Sequence, residues 1–340
     1  MAQSRTRRKG ATRADVAARA GVSPATVSVA LNGQASDVGL AAATVQRIKD
    51  AAAALNYTPN ATARALSTRR STTVGLILNR PQGGPHAPVF SDLMLSAVDA
   101  ARQSGHFILL MTDAGAEDLD QQLRTADIGG LVAQYGNQRA SIAAAAERRG
   151  IPLVWVDPAE TSAEAEELCV VRPRHQPGMA ALAAHLASVG CRSVQVLDGP
   201  GSGYPESPRY ATLRAHFDGR VDHLSADGWS SEDGRSAMRR LLAGRRRPTT
   251  IFAGNDHLAA GALQACREAA LAVPDDIRIA GFGNFPIAEQ LDPTLTTVDW
   301  PLTEVAQRAV ELVIGELAGS APVSDQVVEV DTSLFVRRSA

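Results

Sequence analysis

Cysteine is scarce in this 340-residue chain, which holds three: Cys169, Cys191 and Cys266. An odd number in unrelated contexts supplies neither a disulfide framework nor a Cys-x-x-Cys metal pair, and a reducing cytoplasm is the compartment that fits. Long apolar runs are missing as well, so no segment of about 18 residues is expected to cross a membrane. The opening "MAQSRTRRKG" has the charge of a signal-peptide n-region, but Arg13, Asp15 and Arg19 break up the stretch where an apolar h-region would stand, and no export signal is expected.

Catalytic patterns are equally thin. "DGPGSG", from Asp198 to Gly203, has neither the Lys-Ser/Thr of a P-loop nor the third glycine of a dinucleotide fingerprint, and reads as a turn. His216 with Asp218, and Asp222 with His223, fit no recognised metal spacing and read as solvated loop. No Ser/His/Asp or Cys/His set stands out. The expectation is therefore a protein without cofactor or metal and not an enzyme, with an α/β enzyme as the weakest alternative.

What is present is ordinary globular composition, 45% hydrophobic and 21% charged, with an uneven charge distribution. Residues 1–75 hold eleven Lys/Arg and three Asp/Glu, a balance of +8, whereas the remainder carries −10. A cationic head on an anionic body points to a polyanionic partner for the head.

The head begins with a helix pair. Thr12 and Asp15 have capping-box spacing, and Val16, Ala17 and Ala20 mark an apolar face, predicting a helix from about Arg13 to Ala20. Gly21 suits a left-handed stop, Ser23 a second cap and Pro24 the first position of a helix of two turns. In this register Val22, Val27 and Leu31 point inward, while Pro24, Ala25, Ser28 and Val29 point outward. "ATVQRIKDAAAALNY" adds Val45, Ile48, Ala52 and Leu55 to close a three-helix core. A bare helical hairpin is as often a packing unit as a reader of DNA, but a small one in a basic segment can place its second helix in the major groove.

The pattern T-x-x-D-V-A-x-x-A-G-V-S-x-x-T-V-S-x-x-L-N followed by "LNYTPNATARAL" resembles the lactose-repressor (LacI) family of bacterial transcription regulators. The resemblance implies DNA contacts from Thr12, Ser23, Pro24, Ala25, Thr26, Ser28, Val29 and Asn32, and from Asn60, Ala63 and Leu66 in the segment beyond. Taken alone, "NATARALSTRRS" is a linker in which Asn60 can cap and Arg64, Arg69 and Arg70 can meet phosphates. The resemblance implies a hinge helix that folds on operator DNA, with Leu66 as an apolar wedge in the minor groove.

From Thr73, apolar segments such as "TVGLIL", "FILLMTD", "GGLVAQ", "IPLVWVD", "SVQVLDG", "TTIFAGND" and "IRIAGFG" alternate with helical patterns, predicting parallel sheets covered on both faces. Ligands of such sheets bind beyond the carboxyl ends of the strands. The segments "GCRSVQVLDGP", "FAGNDHLAAGAL", "VPDDIRIAGFGN" and "LTTVDWP" extend the LacI resemblance over nearly the whole chain, and through it to periplasmic sugar-binding proteins. It implies Phe90, Gln134 and Asp157 facing the cleft from the first lobe, and Arg209, Trp229, Asn255 and Asp256 from the second. A carboxylate and an Arg fork can grip hydroxyls and an indole can cover a sugar ring, although Asp157 and Asp256 could each cap a helix instead.

Several positions depart from the family. Gly281-Phe282-Gly283-Asn284 stands where Gly-Phe-Asp-Asp is usual, and Arg174-His175 replaces Asp-Asn before the first helix of lobe two, which together imply an atypical effector, anionic or less hydroxylated. Val29 replaces an Arg that reaches a guanine; it can touch a thymine methyl but cannot make the bidentate contact. The loop after Asn32 is about three residues longer than usual, which changes what it offers to phosphates.

The expected architecture is an all-α helix-turn-helix domain, residues 1–58, a hinge or linker, 59–72, and a two-lobed α/β periplasmic-binding-protein-like domain, 73–340. Lobe one is expected to take about 73–171 and 298–320, and lobe two about 172–297 and 321–340. The expected function is a cytoplasmic, effector-controlled repressor, nucleoid-associated when bound, acting as a homodimer on a near-palindromic operator, with no membrane partner. A stand-alone sugar-binding protein is the alternative, and it predicts an export signal and no basic head. A tetramer is not expected, because "SLFVRRSA" adds no heptad segment.

Overall fold

The computed structural model describes residues 11–31, 35, 38–57, 71–78, 87–112, 116–136, 138–157, 168–244, 247–320, 322 and 326–340. The chain divides into two units, Met1–Ser71 and Thr72–Ala340.

In unit 1, helices α1 (Arg13–Ala20), α2 (Pro24–Leu31) and α3 (Ala42–Ala54) pack around Val16, Ala20, Val27, Ala30, Ile48 and Ala52. The start of α1 is fixed by a reciprocal pair: Asp15 N–H donates to Thr12 Oγ1 at 3.4 Å and the Asp15 carboxylate accepts from Thr12 N–H at 2.7 Å. Those Thr12 donors hold the exposed Asp15 carboxyl below its ordinary pKa. Gly21, at φ +66°, ends the helix in the left-handed conformation that costs glycine least. Arg47 Nε donates to the Ala20 carbonyl at 3.0 Å, meeting one of the carbonyls that the helix end leaves open. Val22, Leu31 and Leu55 flank this core half-buried, as does Tyr57.

Unit 2 contains two six-stranded sheets. The first uses β1 (Thr73–Leu78), β2 (Phe107–Thr112), β3 (Ile128–Gln134), β4 (Leu153–Val156), β5 (Val170–Arg174) and β11 (Val327–Asp331), in the order β11-β5-β4-β3-β1-β2, all parallel. The second uses β6 (Ser193–Asp198), β7 (Arg220–Ser225), β8 (Thr250–Ala253), β9 (Arg278–Gly283), β10 (Thr296–Asp299) and β12 (Leu334–Phe335), in the order β12-β10-β9-β8-β6-β7. There β12 alone runs antiparallel, to β10. The inner strands read as continuous apolar runs because both faces are covered; in β1 all four central residues are buried.

Helices α4 (Ala87–Gln103), α5 (Ala116–Thr125), α6 (Arg139–Arg149) and α12 (Leu302–Leu317) cover the first sheet. Helices α7 (His175–Ser188), α8 (Pro208–His216), α9 (Ser231–Leu242), α10 (Asp256–Glu268) and the short α11 (Ile287–Gln290) cover the second. The α9–α10 contact is close: a Cβ on Gly261 would lie 1.9 Å from the Ser231 carbonyl oxygen, and one on Gly234 would lie 2.3 Å from that of Leu258.

The chain crosses between the sheets three times, after β5, after β10 and after β11. This differs from the expected lobe boundaries: β11 belongs to the first sheet although 321–340 is expected in lobe two, and β10, through Asp299, belongs to the second sheet although lobe one is expected to resume at 298. The physical reason lies in pairing that sequence distance conceals. Arg174 forms a bidentate pair with Asp331 at 2.7 and 2.8 Å, and Arg172 reaches Glu329 at 2.9 Å, so 327–331 docks beside β5. Next to these crossings, Thr332 Oγ1 donates to the Arg174 carbonyl at 3.0 Å and accepts from Gly178 N–H at 3.1 Å.

Candidate functional site

Two surfaces hold the residues that the sequence singles out. On unit 1, Ser23, Pro24 and Ala25 at the start of α2 are exposed, Thr26, Ser28 and Val29 are half-buried, and Val27 and Ala30 are buried. The Ser23 hydroxyl accepts from Thr26 N–H at 3.1 Å and lies 2.8 Å from the Thr26 hydroxyl, so these two side chains cap the helix as well as facing outward. Thr12 likewise spends its hydroxyl on Asp15. No acidic residue stands in the first turn of α2, which leaves the positive end of the helix dipole uncompensated and suited to an anion. Asn32, Asn60, Ala63 and Leu66 lie outside the described residues.

In unit 2 the carboxyl ends of the strands carry most of the other set. Gln134 is the last residue of β3 and half-buried; Asp157 follows β4, is 1% exposed, and donates its N–H to the Val171 carbonyl at 3.1 Å. Phe90 lies in α4. On the second sheet, Arg209, Trp229 and Asn255 converge on Gly254, just beyond β8. Arg209 donates to the Gly254 carbonyl at 2.8 Å and its guanidinium lies 4.2 Å above the Phe282 ring centroid. The Trp229 ring covers the backbone of Gly199 and Gly254, at both of which a Cβ would fall within about 3 Å of the indole, and its Nε1 donates to the Pro200 carbonyl at 3.0 Å. Asn255 caps α10 by accepting from Leu258 N–H at 2.7 Å, and donates to the Trp229 carbonyl at 3.1 Å.

Asp256 does not join them. It is 0% exposed, and its two oxygens accept from Phe285 N–H at 2.8 Å and the Thr297 hydroxyl at 2.6 Å. It is a strut joining α10 to the loop after β9 and to β10, beneath the cleft rather than lining it, because its neighbour Asn255 takes the cap position and directs it inward. Burial pushes its pKa up from 3.8 to about 6. An acid whose folded-state pKa is raised binds its proton more tightly when folded, so this contribution to stability is full below about pH 4 and is lost as pH rises through about 6. Thermal midpoints measured from pH 4 to 7 should therefore fall less in Asp256→Asn than in the unaltered chain; parallel profiles would show that the carboxyl titrates normally.

At the seam between the sheets lies a cavity of about 170 Å³, lined by Asp92 of α4, Asn284, Phe285, Asp299, Trp300 and Thr303, with Gly283 at its edge. Gly283 has φ +128°, and a Cβ there would meet the Phe285 ring at 2.4 Å, so the carboxylate missing at this position has no room in this backbone. Asn284 is held by Arg337, whose guanidinium donates to Asn284 Oδ1 at 2.8 Å, to the Leu295 carbonyl at 2.9 Å and to Glu289 at 2.9 Å. Burial raises the pKa of half-buried Asp299, which accepts from Ser333 N–H. Arg174 is occupied by Asp331, and His175 is buried with its ring 5.5 Å from that of Phe282.

Sequence reasoning missed two features here. Arg337 lies 53 residues beyond Asn284, and no local pattern connects them. Asp222 and His223, expected in a solvated loop, lie instead on the edge strand β7, where His223 Nε2 is 2.8 Å from the buried Asp198 carboxylate and stacks on Tyr204 at 4.0 Å. "DGPGSG" therefore begins with a strand residue tied to β7, and the turn starts after it.

Comparison with known proteins matches both units. Residues 12–60 match bacterial regulatory proteins of the lacI family, and residues 183–340 match a periplasmic binding protein-like domain. The chain is 29% identical over 341 residues to the HTH-type transcriptional repressor PurR of Klebsiella pneumoniae subsp. pneumoniae, covering 97% of this chain and 96% of that protein. It is 27% identical over 343 residues to the PurR repressor of Photorhabdus laumondii, with the same coverage. Among solved structures, the lac repressor dimer bound to operator and the anti-inducer ONPF superposes with a TM-score of 0.75 at 24% identity, over 97% of this chain and 99% of that one. The transcriptional regulator CelR with cellobiose gives 0.66 at 24% identity, over 97% and 100%.

Proposed function

We propose that this chain is one of the bacterial regulatory proteins of the lacI family, a transcriptional repressor whose operator affinity is set by a small molecule. The observation that carries this reading is the surface of α2: an acid-free helix start with Ser23, Pro24 and Ala25 exposed, on a capped three-helix unit within the cationic segment. Such a helix fits the major groove, with basic side chains and helix N-termini on phosphates. In the cleft, Trp229 offers a flat face and Arg209 offers hydrogen-bond donors, a set suited to a sugar or related metabolite, while Asn255 is committed to Leu258 and Trp229 and Asp157 is buried. The cellobiose carried by one structural neighbour supports that class. Effector binding would alter the angle between lobes and thereby the docking of heads and hinges, provided it favours one lobe arrangement by a finite free energy.

A homodimer is part of the proposal. The edge strand β2 exposes Phe107, Leu109 and Leu110, and the adjoining α4 exposes Leu95 and Val98, large apolar side chains that an interface would cover. Two-fold pairing through this face would match a near-palindromic operator. Leu95→Asp combined with Leu110→Asp should elute as a monomer and lose at least about 100-fold in operator affinity, since two linked heads bind far more tightly than one. Size-exclusion chromatography with footprinting checks this; an unaltered chain that is monomeric and protects an asymmetric site would overturn the dimeric reading.

A further inference from the structure

We infer that the effector carries an anionic group, a carboxylate or a phosphate, which seats on Arg209. The inference rests on the regulator reading and specifies the ligand class of its cleft. Arg209 is half-buried at the start of α8, and its guanidinium donates to the Gly254 carbonyl at 2.8 Å. Its Nε–H is buried without an acceptor, and among the described residues no carboxylate forms an ion pair with it. Phe282, 4.2 Å beneath the guanidinium, stacks but cannot neutralise it. A buried donor left open is costly, and the fork of Nε–H with the outer N–H group matches two oxygens of one anion.

Neighbouring arginines differ. Arg174 is neutralised by Asp331 through two bonds, and Arg337 by Glu289 while it holds Asn284. At Gly283, which follows Phe282 and stands where the family resemblance implies a carboxylate, the Phe285 ring leaves no room for a side chain. Among the described residues the guanidinium is thus kept without a counter-charge. Carboxylates do gather at the seam cavity, where Asp92, Asp299 and the Asn284 amide are hydroxyl acceptors. Phe282 beneath Arg209 is adjacent in sequence to Gly283 at that cavity, and the two sets of groups together suit a ligand with an acidic end and a hydroxylated end. A polyhydroxy acid or a sugar phosphate has that layout; a neutral sugar leaves the arginine uncompensated.

The test uses the full chain and matched probes: gluconate and glucuronate, glucose 6-phosphate and ribose 5-phosphate, and their neutral parents glucose and ribose, each at the same millimolar concentration. Thermal midpoints and titration calorimetry are read for the unaltered chain, Arg209→Gln and Arg209→Lys; lysine keeps the charge and removes the fork. At least one acidic probe should bind roughly 10-fold to 100-fold more tightly than its neutral parent, and both variants should lose that preference. Response to the carboxylates alone assigns a sugar acid, and response to the esters alone a sugar phosphate. The inference is overturned if no acidic probe gives an Arg209-dependent shift, or if neutral parents bind as well as the acids. Operator retardation by the ligand-free chain is measured in parallel: its absence overturns the regulator reading, whereas its presence without anion preference overturns only this inference.

Discussion

Leu66→Ala is expected to weaken operator binding by roughly 10-fold to 100-fold, the worth of burying a leucine side chain between unstacked bases. Dimerisation and the thermal midpoint of unit 2 should not change, because the residue precedes that unit, which begins at Thr72. The physical argument is specific to an inserted wedge. An apolar side chain that packs on protein would, when truncated, lower stability and leave DNA affinity nearly intact. Operator titrations by fluorescence anisotropy, run beside thermal denaturation, separate the two, and equal operator affinity in the variant would remove the wedge from the mechanism.

The second large effect is on folding. Gly261→Val should unfold lobe two or lower its midpoint by about 6–12 °C, corresponding to about 3 kcal/mol of overpacking in a domain of this size. The close neighbours of a Cβ at this position are the Ser231 carbonyl oxygen at 1.9 Å and the Arg235 amide nitrogen at 2.5 Å, both backbone atoms that cannot rotate aside as a side chain can. Helices α9 and α10 must separate, and with them Trp229, which precedes α9, and Asn255, which caps α10. Unit 1 has its own core, so the variant should retain the helical signal of the head while losing any ligand-induced shift. Differential scanning calorimetry resolves the units; an unchanged profile would mean that the two helices have slack at Gly261.

The head was legible residue by residue because its signals are local. Thr12, Asp15, Gly21, Ser23 and Pro24 each act within a few positions, and α1 runs from Arg13 to Ala20, the span that their spacing predicts. The inner strands were legible for a related reason: burial on both faces makes them apolar throughout, as in "TVGLIL". Strands β5 and β7 carry no such signal. "VVRPR" contains a proline and two arginines whose charges are met by β11, and "RVDHLS" is an edge strand with a solvated face. In the cleft, the family resemblance pointed to Arg209, Trp229 and Asn255, which do meet at Gly254. Asp256 is expected on the same surface because a carboxylate reads alike whether it faces ligand or interior; only the Thr297 and Phe285 donors reveal its direction. Arg337 was invisible for the opposite reason, since its partners lie 42 to 53 residues away.

The central claim is that an exposed two-turn helix reads duplex DNA under the control of a ligand site in the same chain. Selection by the purified full-length chain from a pool of random duplexes, sequenced after several rounds at about 150 mM salt, tests it most directly. Enrichment of a near-palindrome, with affinity at least about 1,000-fold above that for unrelated duplex, is the predicted result. A pool that stays unenriched while binding declines steeply with added salt would mean that the basic head contacts phosphates alone, which contradicts the account.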